Sequence, residues 1–352
     1  MPLFPGCASP PSPPPPVAPV ILETEQYRVV PVFYATDRAV TGDPSPARFY
    51  GDQRNDRVQT GFCMVTIPKA RGKGEVPEPS GLKFEFSEDP ARHVTLKKTT
   101  SMSEEKFLAN LRRSAGPGGE VLAFVHGFNA VFADVARRVA QIANDLDYRG
   151  IPIIYSWPSQ GELSPAGYAR DETNIRWTIP HLTEFLKKLS SQPGIKTIHL
   201  AAHSMGNVAL VNALVKIAGE RGDDGHPPFS EVILAAPDMD SGEFANLAGE
   251  LRKVAKRVTL YASSNDKALA LSKKFHGYPR AGDSGQGMTL VNGIDSIDVS
   301  AVDTDLIGHF YYGDNDSVLA DMYYLLKGVP ANQRFRLTAK TFKGSNYWIF
   351  QP

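Results

Sequence analysis

From residue 120 onward, short runs of consecutive apolar residues alternate with longer segments whose apolar positions recur at helical spacing. Val121-Leu122-Ala123-Phe124-Val125, Pro152-Ile153-Ile154-Tyr155, Thr197 to Ala201, Val232-Ile233-Leu234-Ala235, Val258-Thr259-Leu260-Tyr261 and Ser296 to Val302 read as strands. Ala133 to Leu146, Leu182 to Ser190, Met205 to Glu220, Glu243 to Val254 and Val318 to Leu326 read as helices. Strands with no polar face, separated by helices, predict an α/β fold whose mainly parallel sheet is covered on both faces.

Upstream the pattern is different. Tyr27 to Tyr34 is β-rich, and a polar loop with Gly42, Pro44, Pro46 and Gly51 leads into a strand from Gly61 to Ile67. Leu82 to Phe86 and His93 to Leu96 look like further strand, and Glu104 to Arg113 like a short helix. These predict an antiparallel N-terminal lead-in. Residues 1–22, with Pro13-Pro14-Pro15-Pro16, suit a disordered, extended tether, which leaves 23–352 as one α/β domain.

Composition narrows the partners. Lys+Arg and Asp+Glu both number 38, so no basic footprint for nucleic acid or an anionic surface is expected. No apolar run reaches the roughly 18 residues of a membrane-spanning helix. Two cysteines, Cys7 and Cys63, cannot make a disulfide framework, and Cys63 reads as a small buried hydrophobe. Gly6-Cys7 before a proline- and serine-rich run resembles the lipid-attachment site of a bacterial lipoprotein, although no positive n-region and no apolar h-region precede it. Cys7 is therefore a candidate N-terminal lipid anchor if the start is truncated, with a periplasmic or membrane-anchored protein as the consequence; otherwise the expectation is cytoplasmic. His93, His181, His199, His226 and His276 lack metal-ligand spacing, so neither a metal nor another cofactor is expected.

The residues past the strand ends carry the chemistry, because ligands of open α/β sheets bind there. Ala202-His203-Ser204-Met205-Gly206 lies between a strand and a helix, the setting of a nucleophile elbow, with Ala202 where a glycine is usual. A serine hydroxyl needs a base to take its proton, a histidine can do so and then protonate the leaving group, and a carboxylate must orient that histidine. Ser204, Asp266 and His309 follow in the chain order of an α/β-hydrolase triad. Asp238 and Asp240 are alternatives for the acid, and Asp266 is also the residue type that caps a helix before Lys267-Ala268-Leu269-Ala270. His126-Gly127-Phe128 follows the first strand, so the amides of Phe128 and Met205 are the expected oxyanion donors, with His126 bracing the loop.

Phe33-Tyr34-Ala35-Thr36-Asp37-Arg38, His126-Gly127-Phe128-Asn129, Phe132, Tyr155-Ser156-Trp157-Pro158-Ser159, Ala202 to Asn207 and Ala236-Pro237-Asp238-Met239-Asp240 occur in order. On these motifs, over roughly residues 27 to 325, the chain resembles the α/β-hydrolase superfamily, and within it a bacterial branch of hydrolases of unknown function. Asn commonly stands in that branch where Asp37 stands here. The resemblance implies an α/β-hydrolase fold and an esterase-like Ser-His-Asp site on Ser204, His309 and Asp266. Only about 20 residues separate Asp238 from Val258, room for one helix rather than a large cap domain. Trp157 to Ile179 and the loop Gly277 to Met288 are the expected walls of an acyl pocket. The leading expectation is a serine carboxylesterase acting on small to medium esters with short acyl chains. An acyltransferase or thioesterase with the same triad, and a non-catalytic binding protein on a hydrolase scaffold, are the competing readings.

Overall fold

A computed structural model describes residues 22–80, 85–222, 225–302, 316–342 and 344–351. Strands β1 (Leu22–Glu23), β2 (Tyr27–Val40), β3 (Tyr50–Pro68) and β4 (Thr95–Met102) precede helix α1 (Glu104–Ala115). Alternation then begins with β5 (Glu120–Val125), α2 (Phe132–Asp145), β6 (Ile151–Ser156), α3 (Pro165–Ser190), β7 (Thr197–His203) and α4 (Gly206–Arg221). It continues through β8 (Phe229–Ala235), α5 (Ser241–Val254), β9 (Ala255–Ala262), α6 (Lys267–His276), β10 (Asp295–Asp298) and α7 (Asp316–Leu326), and closes on the hairpin β11 (Leu337–Phe342) and β12 (Ser345–Phe350).

All strands join one sheet in the order β11-β12-β10-β9-β8-β7-β5-β6-β2-β3-β4, with β1 beside β2. The run from β2 through β6, β5, β7, β8, β9 and β10 to β12 is parallel, whereas β1, β3, β4 and β11 pair antiparallel. The expected mainly parallel sheet with an antiparallel lead-in is therefore the observed one. Alternate residues of β5 explain the apolar runs: Val121, Ala123 and Val125 enter one buried cluster, with Phe107 of α1, Leu186 of α3, Leu210 of α4 and Phe244 of α5. Leu122 and Phe124 enter the other, with Val139 of α2, Leu269 of α6 and Leu325 of α7. Each Val, Leu or Phe among them contributes on the order of 1.5–3 kcal/mol by leaving water.

Four local expectations need correction. The Gly61 strand is the end of a long hairpin, because β2 runs to Val40 and β3 starts at Tyr50; its outer residues, such as Arg54 and Arg57, are polar and give no two-residue apolar alternation. Of Leu82 to Phe86, residues 81–84 lie outside the described ones, and Glu85 and the exposed Phe86 are not strand. The strand expected from Ser296 to Val302 stops at Asp298, whose carboxylate accepts from the Ser300 amide (2.9 Å) in a turn. The helix expected from Leu182 starts instead at Pro165, where the Ser164 hydroxyl caps the Gly167 amide (2.9 Å) and proline occupies the first turn. Pro180 sits inside that helix. Residues 1–21, with Cys7, lie outside the described residues.

The β8-to-β9 connection holds α5, and among the described residues no helix is long and apolar enough to cross a membrane. The chain leaves β5 for β6 on one side and returns to β7 on the other. The carboxyl ends of β5 and β7 therefore flank a topological switch point, where a crevice opens in sheets of this kind.

Candidate functional site

Ser204 is the first residue past β7 and holds φ 51°, in the left-handed region that a residue with a Cβ enters at a cost of roughly 1–2 kcal/mol. Its neighbours hold it there. The Ser204 amide donates to the Ala235 carbonyl (3.0 Å), and the Ser204 carbonyl accepts from the Asn207 amide (3.1 Å), the Asn207 side chain (2.9 Å) and the Asp238 amide (3.2 Å). Asn207 also donates to Ala235 (3.1 Å), so one fully buried side chain ties the turn to the next strand.

The crevice is tight enough to require glycine on both sides. A Cβ on Gly206 would strike the His126 carbonyl oxygen and lie 2.7 Å from that of Val125; one on Gly127 would lie 2.8 Å from the Ser204 Cβ. The chain passing from β5 thus runs against the turn after β7. The amides of Phe128 and Met205 donate to no protein acceptor among the described residues, whereas those of Asn129 and Ala130 are both engaged.

His126 braces this loop, as its position suggested. Its ring stacks on Trp157 at 4.9 Å and 6°, and the Trp157 indole donates to the His126 carbonyl (2.7 Å). Burial, helped by the Arg38 guanidinium, pushes the imidazole down to about 3, so it is neutral at ordinary pH. A proton-transfer base it is not.

The three candidate acids stand in different surroundings. Asp238 is buried and saturated by Tyr168 Oη (2.7 Å), Ser272 Oγ (2.6 Å) and Arg280 Nε (2.8 Å). Burial and the Asp238 charge hold the Tyr168 phenol well above its usual range, so it remains a donor. Asp240 caps α5 through the Glu243 amide (2.8 Å). Asp266 caps α6 through the Leu269 amide (2.9 Å) and lies buried past the end of β9. The helix-capping property of Asp266 is thus real, and it occupies Oδ1. The structure sets Ser204, the Phe128 and Met205 amides, Asp238 and Asp266 at the carboxyl edge of the sheet, with the Asp238 amide hydrogen-bonded to the Ser204 carbonyl; His309 lies outside the described residues.

Two cavities flank the elbow. One of about 240 Å³ is lined by His126, Gly127, Phe128, Asn129 and His203; the other, of about 220 Å³, by Tyr168, Ile175, Met205, Val208 and Asp238. Tyr168, on the wall of the second, has its ring 5.2 Å from Phe128 of the first and 5.9 Å from the exposed Phe275. Among the described residues no group of three or more His, Cys, Asp or Glu is placed to hold a metal.

Sequence reasoning did not assign the residues around the loop. Arg38, Ser156, Ser159 and Asp171 all lie within hydrogen-bonding networks that reach residues 126 to 130, and Asn207 stands out in the sequence only as the end of the elbow motif. Arg38, Ser156 and Ser159 were signalled by their motifs. Asp171 had no signal.

A family model described as "Alpha/beta hydrolase of unknown function (DUF900)" matches residues 100–326. No curated protein matches the chain. Solved structures similar to it include a mutant of the esterase rPPE, 14% identical, over 77% of this chain and 78% of that one, with a TM-score of 0.31. A thermostable esterase from Pseudomonas putida is 15% identical over 76% of this chain and 66% of its own, with a TM-score of 0.24. An esterase from Pyrobaculum calidifontis is 12% identical over 87% and 73%, with a TM-score of 0.23.

Proposed function

The chain belongs to this family of α/β-hydrolases, and on that premise we propose that it is a serine carboxylesterase with Ser204 as nucleophile. Ser204 attacks the ester carbonyl, His309 takes its proton and returns it to the departing alcohol, and Asp266 orients the imidazole. Water activated by the same histidine then releases the acid from the acyl-enzyme. The amides of Phe128 and Met205 receive the negative charge that develops on the carbonyl oxygen, a contribution of roughly 3–4 kcal/mol per donor in comparable sites.

One observation carries this reading: a serine held at φ 51° at the switch point, beside two amides with no protein acceptor among the described residues. Asp266 is favoured over Asp238, which already serves three side-chain donors, and over Asp240, which caps a helix as Asp266 does but is less buried. The substrate is a small-molecule ester of small to medium size.

Turnover of p-nitrophenyl acetate and butyrate by the wild type and by Ser204→Ala tests the reading. The variant should lose activity by about 10⁴-fold or more with its fold intact, in line with the loss of a triad nucleophile. Undiminished turnover in a folded Ser204→Ala protein would refute the assignment.

A further inference from the structure

We propose that Arg38 and Asp171 are positioning residues that set the aim of the Phe128 amide by clamping the loop from Gly127 to Ala130. The proposal rests on the esterase reading given above and extends it to two residues that touch no substrate.

Arg38, at the end of β2, is 1% exposed, and its guanidinium is spent on acceptors that converge on one loop cluster. Nη2 donates to the Ala130 carbonyl (2.7 Å), and Nη1 to the carbonyls of Ser159 (3.0 Å) and Gly51 (2.9 Å). Nε donates to Ser156 Oγ (2.9 Å), which lies 3.4 Å from His126 Nε2. Asp171, in α3 and fully buried, holds the same stretch of chain. Its Oδ2 accepts from Ser159 Oγ (2.5 Å) and the Asn129 amide (3.4 Å), and its Oδ1 from the Gln160 amide (2.9 Å). Ser159 Oγ accepts in turn from the Ala130 amide (3.1 Å).

The pattern is selective. Of the three successive amides of Phe128, Asn129 and Ala130, the second and third are held by Asp171 and Ser159, the carbonyl of the third is held by Arg38, and the first donates to nothing among the described residues. Asn129 holds φ 55°, in the left-handed region that asparagine enters more readily than most residues, and its amide is held there by Asp171. Burying a guanidinium and a carboxylate is costly, and burial lowers Arg38 to about 10 and raises Asp171. A brace needed for packing alone could be apolar. A brace that must fix the direction of one N–H needs directional bonds on the peptide groups beside it, and the planar fork of Arg38 reaches four acceptors that a lysine ammonium cannot.

The test uses the full-length protein and three variants, Arg38→Lys, Asp171→Asn and Ser159→Ala, each checked by circular dichroism and melting temperature. The readouts are kcat and KM on p-nitrophenyl butyrate and affinity for an alkyl boronic acid, whose tetrahedral adduct imitates the oxyanion. A misaimed donor should lower kcat by about 10²-fold, leave KM within about threefold, and weaken boronate binding in proportion to kcat/KM. Arg38→Lys is the variant at most risk of misfolding, so the milder Asp171→Asn and Ser159→Ala decide the matter if it does. If both fold and keep wild-type kcat, or if their only change is in KM, the clamp has no role in catalysis. Turnover that survives Ser204→Ala overturns the nucleophile and the clamp together, whereas Ser204-dependent turnover indifferent to both milder variants overturns the clamp alone.

Discussion

Strands β7 and β8 lie side by side and end in the same backbone device, with different consequences. Ser204 after β7 holds φ 51° and Ala236 after β8 holds φ 45°, and each donates its amide at 3.0 Å to a carbonyl of the next strand, Ala235 and Tyr261. Two residues on, β7 has Gly206, pressed against the carbonyls of the β5 loop, and β8 has Asp238, bound by Tyr168, Ser272 and Arg280. A left-handed kink at a strand end is therefore not itself a nucleophile site. What distinguishes β7 is the crowding that brings a second backbone segment, with an amide unengaged among the described residues, against the kinked residue. What distinguishes β8 is a carboxylate already spent on structure.

The largest expected effect concerns the acids past β8 and β9. Asp266→Asn should lower kcat by about 10⁴-fold, as loss of an orienting carboxylate does, while Asp238→Asn should leave kcat within about tenfold and cost roughly 3 kcal/mol of stability through the buried Arg280. Steady-state kinetics and urea unfolding on both variants separate the roles. A reversed outcome would move the triad acid to β8.

The next effect belongs to the loop that leans on β7. His126 is held at about 3, against about 6.5 when unfolded, chiefly by burial. The unfolded chain therefore binds a proton that the folded one does not between those values. Stability should fall as pH drops from about 6.5 towards 3, by at most about 1.4 kcal/mol per pH unit from this group. Subtracting the unfolding profile of His126→Gln from that of the wild type isolates the contribution. A flat difference would mean that the imidazole is not neutral in the fold.

Gly206→Ala comes third. Its methyl would overlap the His126 carbonyl, which overpacking data place at about 1–3 kcal/mol, and it would spread β5 from β7. Activity should suffer beyond what the melting temperature suggests, and equal activity would show the crowding to be incidental. The smallest effect is at the matching kink on β8, where Ala236→Gly should relieve strain worth about 1 kcal/mol, partly offset by unfolded-chain entropy, with turnover unchanged.

The strand runs were legible because parallel strands buried on both faces need apolar residues throughout, and the Ser204 elbow was legible because its small neighbours are packing necessities. The first half of α3 was not, for a physical reason. Its inward stripe includes Asp171, Asn174 and Thr178, each aimed at loop backbone or a buried polar group, so the apolar period becomes visible only from Leu182. A buried polar stripe looks, in sequence, like a solvated loop. Arg38 was similarly opaque: its role depends on four acceptors from Gly51, Ala130, Ser156 and Ser159, a convergence that only the sheet order creates. The C-terminal hairpin β11–β12 escaped because its first strand alternates weakly and is largely exposed.

The central claim is that the kinked serine of β7 is the reacting atom's owner. Incubation of the wild-type protein with a fluorophosphonate, followed by tryptic digestion and mass spectrometry, tests it most directly. The expected result is one phosphonyl adduct on Ser204 that forms as ester turnover is lost and is slowed by Asp266→Asn. An adduct on any other residue accompanying the loss of turnover would contradict it.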